Sequence, residues 1–342
     1  MKVLITGATG FIGSHLLYHL LLNKDVDVKA LKRRSSSLDK LKHTFKYYSA
    51  DTNITNSLNK VEWIDGDLFD APSLYKATKD VDIVFHTAGM VSITGSNQEK
   101  MFKINKEGTK NLVLASIRNQ VKKFCYVSST SVFNRNNGNN ALENPYAISK
   151  ASADNIVRKS SIHGLQTLII YPSVVIGHGN GESGFEKILH SIWQGNLFYT
   201  SGGAEFVDVR DVVKAIINLT TSNITNKGFV VSSEYFPYKQ ILELAATALH
   251  KPKPFIPLGY NIAKFINYLG QIKQYLIHQD PLISNESLKI LYSKNDGNYK
   301  KRMPKYHTDY IPIQESVMEL GNYYSSMRKE NSGKFFNKNL TK

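Results

Sequence analysis

The chain has 342 residues, of which 42% are apolar, and its 43 Lys and Arg against 28 Asp and Glu give a formal charge of +15. Length and composition exclude wholesale disorder and leave room for one large or two modest domains with a substantial core. A single cysteine, Cys125, excludes an intrachain disulfide scaffold and reads as a buried small hydrophobe. The richest apolar run, Leu16 to Leu22, is interrupted by Tyr18 and His19 and falls short of the ~18 residues of a membrane span. The opening MKVLITGATG lacks the apolar stretch and cleavage site of a signal peptide. The expectation is a cytoplasmic protein with no membrane partner. Cationic clusters are small, Lys32-Arg33-Arg34, Lys122-Lys123 and Lys300-Lys301-Arg302, and no nucleic-acid-binding motif accompanies them, so no nucleic-acid partner is expected.

In chain order, short β-rich runs alternate with amphipathic stretches. Strands are expected at Lys2-Thr6, Val26-Leu31, Val61-Asp65, Val81-His86, Lys123-Ser128 and Thr167-Tyr171, with helices between them. Several are continuously apolar, as a sheet covered on both faces requires. The fold class is α/β, a Rossmann-type doubly wound parallel sheet, to which Gly228-Ser232 adds a strand after a helix at Asp211-Thr220. After Pro172 regularity weakens through the loop Gly177 to Gly181 and the Pro-rich Lys251 to Gly259, which predicts a smaller, mostly helical substrate lobe. The expected boundaries are 1–176 plus 207–233 for the dinucleotide domain, 177–206 plus 234–327 for the lobe, and 328–342 as a flexible basic tail.

The segment Thr6-Gly7-Ala8-Thr9-Gly10-Phe11-Ile12-Gly13 sets three glycines three apart between a strand and a helix. Glycines let a pyrophosphate approach the backbone, and the helix start aims free N–H groups at it, so Gly7, Thr9, Gly10, Phe11, Ile12 and Gly13 are candidate cofactor contacts. On that helix His15 and His19 have a spacing able to hold zinc, but no third ligand is nearby; they read as solvent-side histidines, and no metal is assigned. At the end of the second strand an NAD site should carry a carboxylate for the ribose hydroxyls. The chain offers Lys32 and Arg33, followed by Arg34, which suit a 2′-phosphate; NADP is favoured, with NAD the alternative. Asp67 and Leu68 end the third strand, either at the adenine edge or as a plain strand cap.

Asn144-Pro145-Tyr146-Ala147-Ile148-Ser149-Lys150 combines an N-cap, a first-turn proline and a Tyr–Lys pair one turn apart. A Tyr that lends or takes a proton is what hydride transfer at a carbonyl needs, and a neighbouring ammonium and a helix N-terminus would lower its pKa.

Together the TGATGFIG turn, the strand Phe124 to Thr130, YAISK, Asn105 to Asn111 and Phe206 to Val212 resemble the extended short-chain dehydrogenase/reductase family, also called the NAD(P)-dependent epimerase/dehydratase family. The resemblance covers about residues 1–235 strongly. It implies that Thr130 binds the substrate oxygen, Tyr146 is the acid/base, and Lys150 holds the nicotinamide ribose while tuning Tyr146. It also implies that Thr87, Ala88 and Gly89 pass along the cofactor, that Asn105 and Ser128 join that set, and that Pro172, Val174 and Val175 border the nicotinamide. Sugar-nucleotide dehydratases of the family carry Asp-Glu after the catalytic Thr; here Ser131-Val132 follow. Tyr171 to Gly177 and Val84 to Ala88 look more like the dihydroflavonol reductase and 3β-hydroxysteroid dehydrogenase branch, although His178 stands where proline is usual and the Thr130-to-Tyr146 loop is short.

The resemblance therefore implies an NADP(H)-dependent enzyme interconverting a carbonyl and an alcohol on a small-molecule substrate. A nucleotide-sugar epimerase using Lys187 or Arg210 near a diphosphate is the rival, and a catalytically silent nucleotide-sensing protein the third reading. A homodimer is left open.

Overall fold

Apolar runs without polar alternation cannot leave either face to water, and in a computed structural model of the chain they become the interior strands of a layered sheet. The structure describes residues 1–49, 56–91, 97–136, 144–179, 184–266, 268, 285–293 and 303–339. The strands are β1 (Lys2–Thr6), β2 (Asp27–Lys32), β3 (Glu62–Asp65), β4 (Ile83–His86), β5 (Lys123–Val127), β6 (Gln166–Pro172), β7 (Val174–Ile176), β8 (Phe198–Tyr199), β9 (Gly203–Asp208), β10 (Lys227–Val231), β11 (Glu234–Pro237) and β12 (Ile256–Pro257). Seven of them form one all-parallel sheet in the order β10-β6-β5-β4-β1-β2-β3. Strand order reverses between β1 and β4, so the crevice at their C-terminal ends is where such a sheet receives a ligand.

Both faces are covered by helices. Leu16, Leu17 and Leu20 of α1 (Phe11–Leu21), Phe45 of α2 (Asp39–Tyr48) and Val212 and Ile216 from Val209–Thr221 bury one face. On the other, Leu74 of α3 (Ala71–Thr78) packs with side chains of the helices that follow α4 (Gln98–Phe102): Leu112 of α5 (Thr109–Arg118) and Val157 of α6 (Pro145–Ser160). A third core lies in the second half, where α7 (Gly184–Trp193) packs with Phe206 of β9, Phe236 of β11 and two later helices; α8 (Val209–Thr221) stays in the first core, and the partners are α9 (Tyr238–Ala248) and, beyond α10 (Asn285–Tyr292), α11 (Ile313–Asn339).

This half is mainly helical but also holds a three-stranded sheet, β11-β9-β7, with β9 antiparallel to β11 and parallel to β7. Its strands are three to six residues long, too short to separate from loops by periodicity. Residues 328–339, expected as a frayed tail, continue α11. His15 is also a correction: it is fully buried where a solvent-side ring was expected, because α2 and the chain around His178 cover that side of α1. Part of the Thr130-to-Tyr146 loop (137–143), part of the glycine loop (180–183) and Lys300-Lys301-Arg302 lie outside the described residues.

Candidate active site

The turn after β1 uses its glycines for different reasons. Gly7 has φ +78°, and a Cβ on it would lie 2.6 Å from the Ala88 nitrogen; only glycine fits both demands. A Cβ on Gly13 would sit 2.1 Å from the Gly7 carbonyl and 2.6 Å from Thr87 Oγ1, so Gly13 seats α1 against the turn. Gly10, by contrast, would meet only the Gly7 carbonyl, at 3.2 Å. It is the N-cap of α1, with no side-chain cap and no acidic residue in the first turn. The first-turn N–H groups, at Phe11, Ile12 and Gly13, therefore open beside a bare backbone, the arrangement a pyrophosphate needs. Thr9 lies within the turn.

At the end of β2, Lys32 Nζ pairs with Asp65 Oδ1 at 2.5 Å. Arg33 and Arg34 are exposed beside it. Lys32 is thus held by a carboxylate, which leaves the two guanidinium groups as the exposed cations at this strand end. Asp67 accepts from the Phe69 N–H at 3.0 Å as a turn cap. Leu68 is buried against Gly108, with its carbonyl held by Asn111 Nδ2 at 2.9 Å.

β4 delivers Thr87, Ala88 and Gly89 to the crevice. Thr87 Oγ1 donates to the Thr6 carbonyl at 2.8 Å. A Cβ on Gly89 would come within 3.6 Å of Lys150 Nζ, so this strand end adjoins the first turns of α6. Asn105 acts as a brace: Oδ1 accepts from Met90 N at 2.8 Å, while Nδ2 donates to Met90 O and Ser149 Oγ, each at 2.9 Å. Below it, Thr109 Oγ1 donates to Asn105 O, so His86 Nε2 must donate to Thr109 and His86 Nδ1 accept from Thr6. Burial holds that ring neutral, its pKa brought down to about 3.

Asn144 caps α6 by accepting from Tyr146 N at 3.0 Å, and Pro145 fixes the first turn. The Tyr146 hydroxyl meets Ser129, not Thr130, which opens the following 3₁₀ turn. Burial pushes the phenol up to about 12, against the smaller lowering by Ser129. The expected lowering by Lys150 is absent because Lys150 Nζ donates to the Val127 carbonyl at 2.7 Å and lies 4.5 Å above the Tyr126 ring. Burial brings Lys150 down to about 8, and Asp154 opposes that. Asp154 itself is buried, with its carboxyl raised to about 6 by desolvation. Ser128 faces Asp154.

Sequence reasoning missed Ser129 and Asp154. The signal for the second was available: Tyr146, Lys150, Asp154 and Arg158 recur every four residues and share one helix face. Arg158 ends the row by donating to Tyr171 OH at 2.7 Å.

Pro172 closes β6, Val175 is half-buried and Val174 is exposed. Arg210 donates to Asp208 at 2.9 and 2.8 Å and pairs with Glu319 at 2.9 Å, so it is engaged in the joint with α11. Lys187 is exposed on α7. His178 pairs with Glu186 at 2.9 Å and packs on Tyr47 and Tyr323 in the same joint.

The sequence profile of the NAD dependent epimerase/dehydratase family matches residues 3–231, which contain the glycine turn, the β4 end and the Tyr146–Lys150 helix. The chain belongs to this family. This NAD(P)-dependent epimerase/dehydratase-family enzyme is similar to "Sterol demethylase protein B" of Methylococcus capsulatus, with 25% identity over 87% of this chain and 90% of that one. It is 28% identical to a Mycobacterium tuberculosis "3 beta-hydroxysteroid dehydrogenase/Delta 5-->4-isomerase" over 57% of this chain and 52% of the relative. Among solved structures, the UDP-N-acetylglucosamine 4-epimerase of Methanobrevibacter ruminantium shares its fold, with a TM-score of 0.70 at 22% identity over 95% of this chain and 98% of that one. Among the described residues of the family member, no helix is long and apolar enough to cross a membrane and no group of three His, Cys, Asp or Glu could hold a metal.

Proposed function

We propose that the protein is an NADP(H)-dependent oxidoreductase that interconverts a carbonyl and an alcohol on a small organic substrate. The observation that carries this reading is the meeting of Tyr146 with Ser129, with Lys150 one turn further along the same helix and Gly89 adjoining Lys150. The glycine turn fits a pyrophosphate, since the space in front of Gly10 is kept free of side chain. Phe11, Ile12 and Gly13 would offer N–H groups to it, and Arg33 would take the 2′-phosphate. When bound, the nicotinamide supplies or accepts the hydride. Ser129 would donate to the substrate oxygen and hold it against Tyr146, the role first expected of Thr130. Tyr146, whose buried phenol keeps its proton in the ligand-free chain, would give that proton to the oxygen as charge develops there, and retrieve it in the oxidative direction. Lys150 would bind the ribose hydroxyls and stabilise the phenolate. Residues 177–206 and 234–327 would form the substrate side.

The epimerase alternative loses one expected cation, because Arg210 is held by Asp208 and Glu319. The test is titration with NADPH and NADH, followed by a screen of ketones, aldehydes and nucleotide sugars at the reduced-nicotinamide absorbance. Arg33→Ala should weaken NADPH by ~1.5–3 kcal/mol and leave NADH nearly unchanged. Equal wild-type affinity for both cofactors would sink the NADP assignment, and net turnover of a nucleotide sugar without consumption of reduced cofactor would favour the epimerase.

A further inference from the structure

Past α9 the chain exposes apolar surface in one place more than anywhere else described. Phe255 is 67% exposed, Ile262 59%, Phe265 61%, Ile266 48% and Tyr268 58%. Residues 260–266 are helical, and Ala263 is the one buried residue among them. A surface helix normally turns its apolar stripe inward. Here Ile262, Phe265 and Ile266, spaced to share one face, point to solvent while the smallest side chain faces the body. Just before this helix, the parallel β8–β12 pair sets Phe198, 48% exposed, opposite Ile256. The segment is well anchored: Tyr292 OH donates to the Leu258 carbonyl at 2.8 Å and Phe255 N to the Leu197 carbonyl at 3.0 Å.

Charge selects the occupant. From Leu244 to Tyr268 the sequence has no Asp or Glu, but it has Lys251, Lys253 and Lys264. Lys253 and Lys264 are exposed, while Lys251 lies 4.6 Å over the Trp193 ring. An apolar, aromatic-rich stretch with exposed Lys253 and Lys264 along it, in a chain of +15, matches a lipid surface carrying negative headgroups, which takes up apolar side chains and attracts lysines together. We propose that this face docks the protein peripherally on an anionic bilayer. Lying on a membrane and crossing one are separate physical modes, and the lack of a spanning helix bears only on the second.

The experiment uses the full chain and co-sedimentation with vesicles of pure phosphatidylcholine or of equimolar phosphatidylcholine and phosphatidylglycerol. The expected result is binding to the anionic vesicles that weakens with added salt and falls at least about tenfold in Phe265→Ser/Ile266→Ser. Lys253→Gln/Lys264→Gln should narrow the difference between the two vesicle types. Both positions in each pair are exposed, and an unchanged melting midpoint would verify that each variant folds. A folded wild type that stays in the supernatant with both vesicles overturns the proposal, as does undiminished binding by the serine variant. An oligomer that the serine variant dissociates, in a chain that ignores vesicles, also overturns it and assigns the face to a second copy.

Discussion

Tyr146, Ser129 and Lys150 divide the work expected of the site, and each can be tested singly. Tyr146→Phe deletes one oxygen and keeps the ring, so turnover should fall by about 10²–10⁴ with cofactor affinity unchanged. Ser129→Ala should cost far more turnover than Thr130→Ala, because Ser129 is the hydroxyl at the phenol; the reverse order of the two rates would restore Thr130. One residue separates these candidates, both beyond the end of β5 at Val127. The family resemblance named Thr130, whereas the hydroxyl that meets the phenol is that of Ser129, just before the 3₁₀ turn that begins at Thr130. Lys150 gives a pH prediction. With its pKa brought down to about 8, it loses its charge as pH rises through that value, and cofactor affinity measured by fluorescence titration should decline there. Asp154 favours the charged ammonium, so Asp154→Asn should move the decline to lower pH. An unshifted profile would mean that Asp154 is only structural.

At the level of elements, caps and glycines separate stability from binding. Asn144→Ala should cost about 1 kcal/mol in a denaturant melt, the usual loss for an N-cap, and should slow turnover because the first turn it fixes carries Tyr146. The glycine turn gives a contrast within four residues. Gly13→Ala places a methyl 2.1 Å from the Gly7 carbonyl and should destabilise the fold by prising α1 from the turn. Gly10→Val should leave the melt closer to wild type and abolish cofactor binding, since its side chain enters the space in front of the turn. Normal NADPH binding by folded Gly10→Val would make the turn purely structural. The six strands expected in the first 175 residues were legible to within about two residues at each end, because several are continuous apolar runs and all lie between glycine-, asparagine- or charge-rich breaks. β7, β9 and β11 were not, since the sheet they form joins segments from three separated stretches.

Across the whole molecule, polar and aromatic contacts tie the sheet domain to the second half. His15 Nε2 donates to the His178 carbonyl at 2.7 Å, which leaves Nδ1 to accept from Tyr48 OH at 2.5 Å. Nearby, Tyr47 OH donates to Glu319 at 2.9 Å, and Ser316 Oγ to Asp208 at 2.6 Å. Burial brings the His15 pKa from 6.5 down to about 4. The unfolded chain therefore binds a proton at this residue that the folded chain refuses, and stability should fall as pH drops from 6.5 toward 4, by about 3 kcal/mol for this ring. His86, down to about 3, acts in the same direction. Asp154 and Asp211, both raised to about 6 by burial, act oppositely and gain stability as pH falls below 6. The measurement that isolates His15 is the difference between wild-type and His15→Gln stabilities at pH 6.5 and at pH 4. That difference should shrink on acidification, and a constant difference would show that His15 does not titrate in this range.

By itself the sequence determined the parallel α/β sheet, the glycine turn between β1 and α1 and the placing of Tyr146 and Lys150 one turn apart in a capped helix, because each rests on local rules: apolar continuity, glycine conformational freedom and the four-residue repeat of a helix face. Tertiary structure decided what depends on segments distant in the chain. It engaged Lys32 with Asp65 and Arg210 with Glu319, buried His15 under α2, and turned Lys150 toward the Val127 carbonyl. It also left Phe265 and Ile266 facing outward. Burial and partner choice are set by what packs across a gap of tens to hundreds of residues, and no periodicity in the sequence records that.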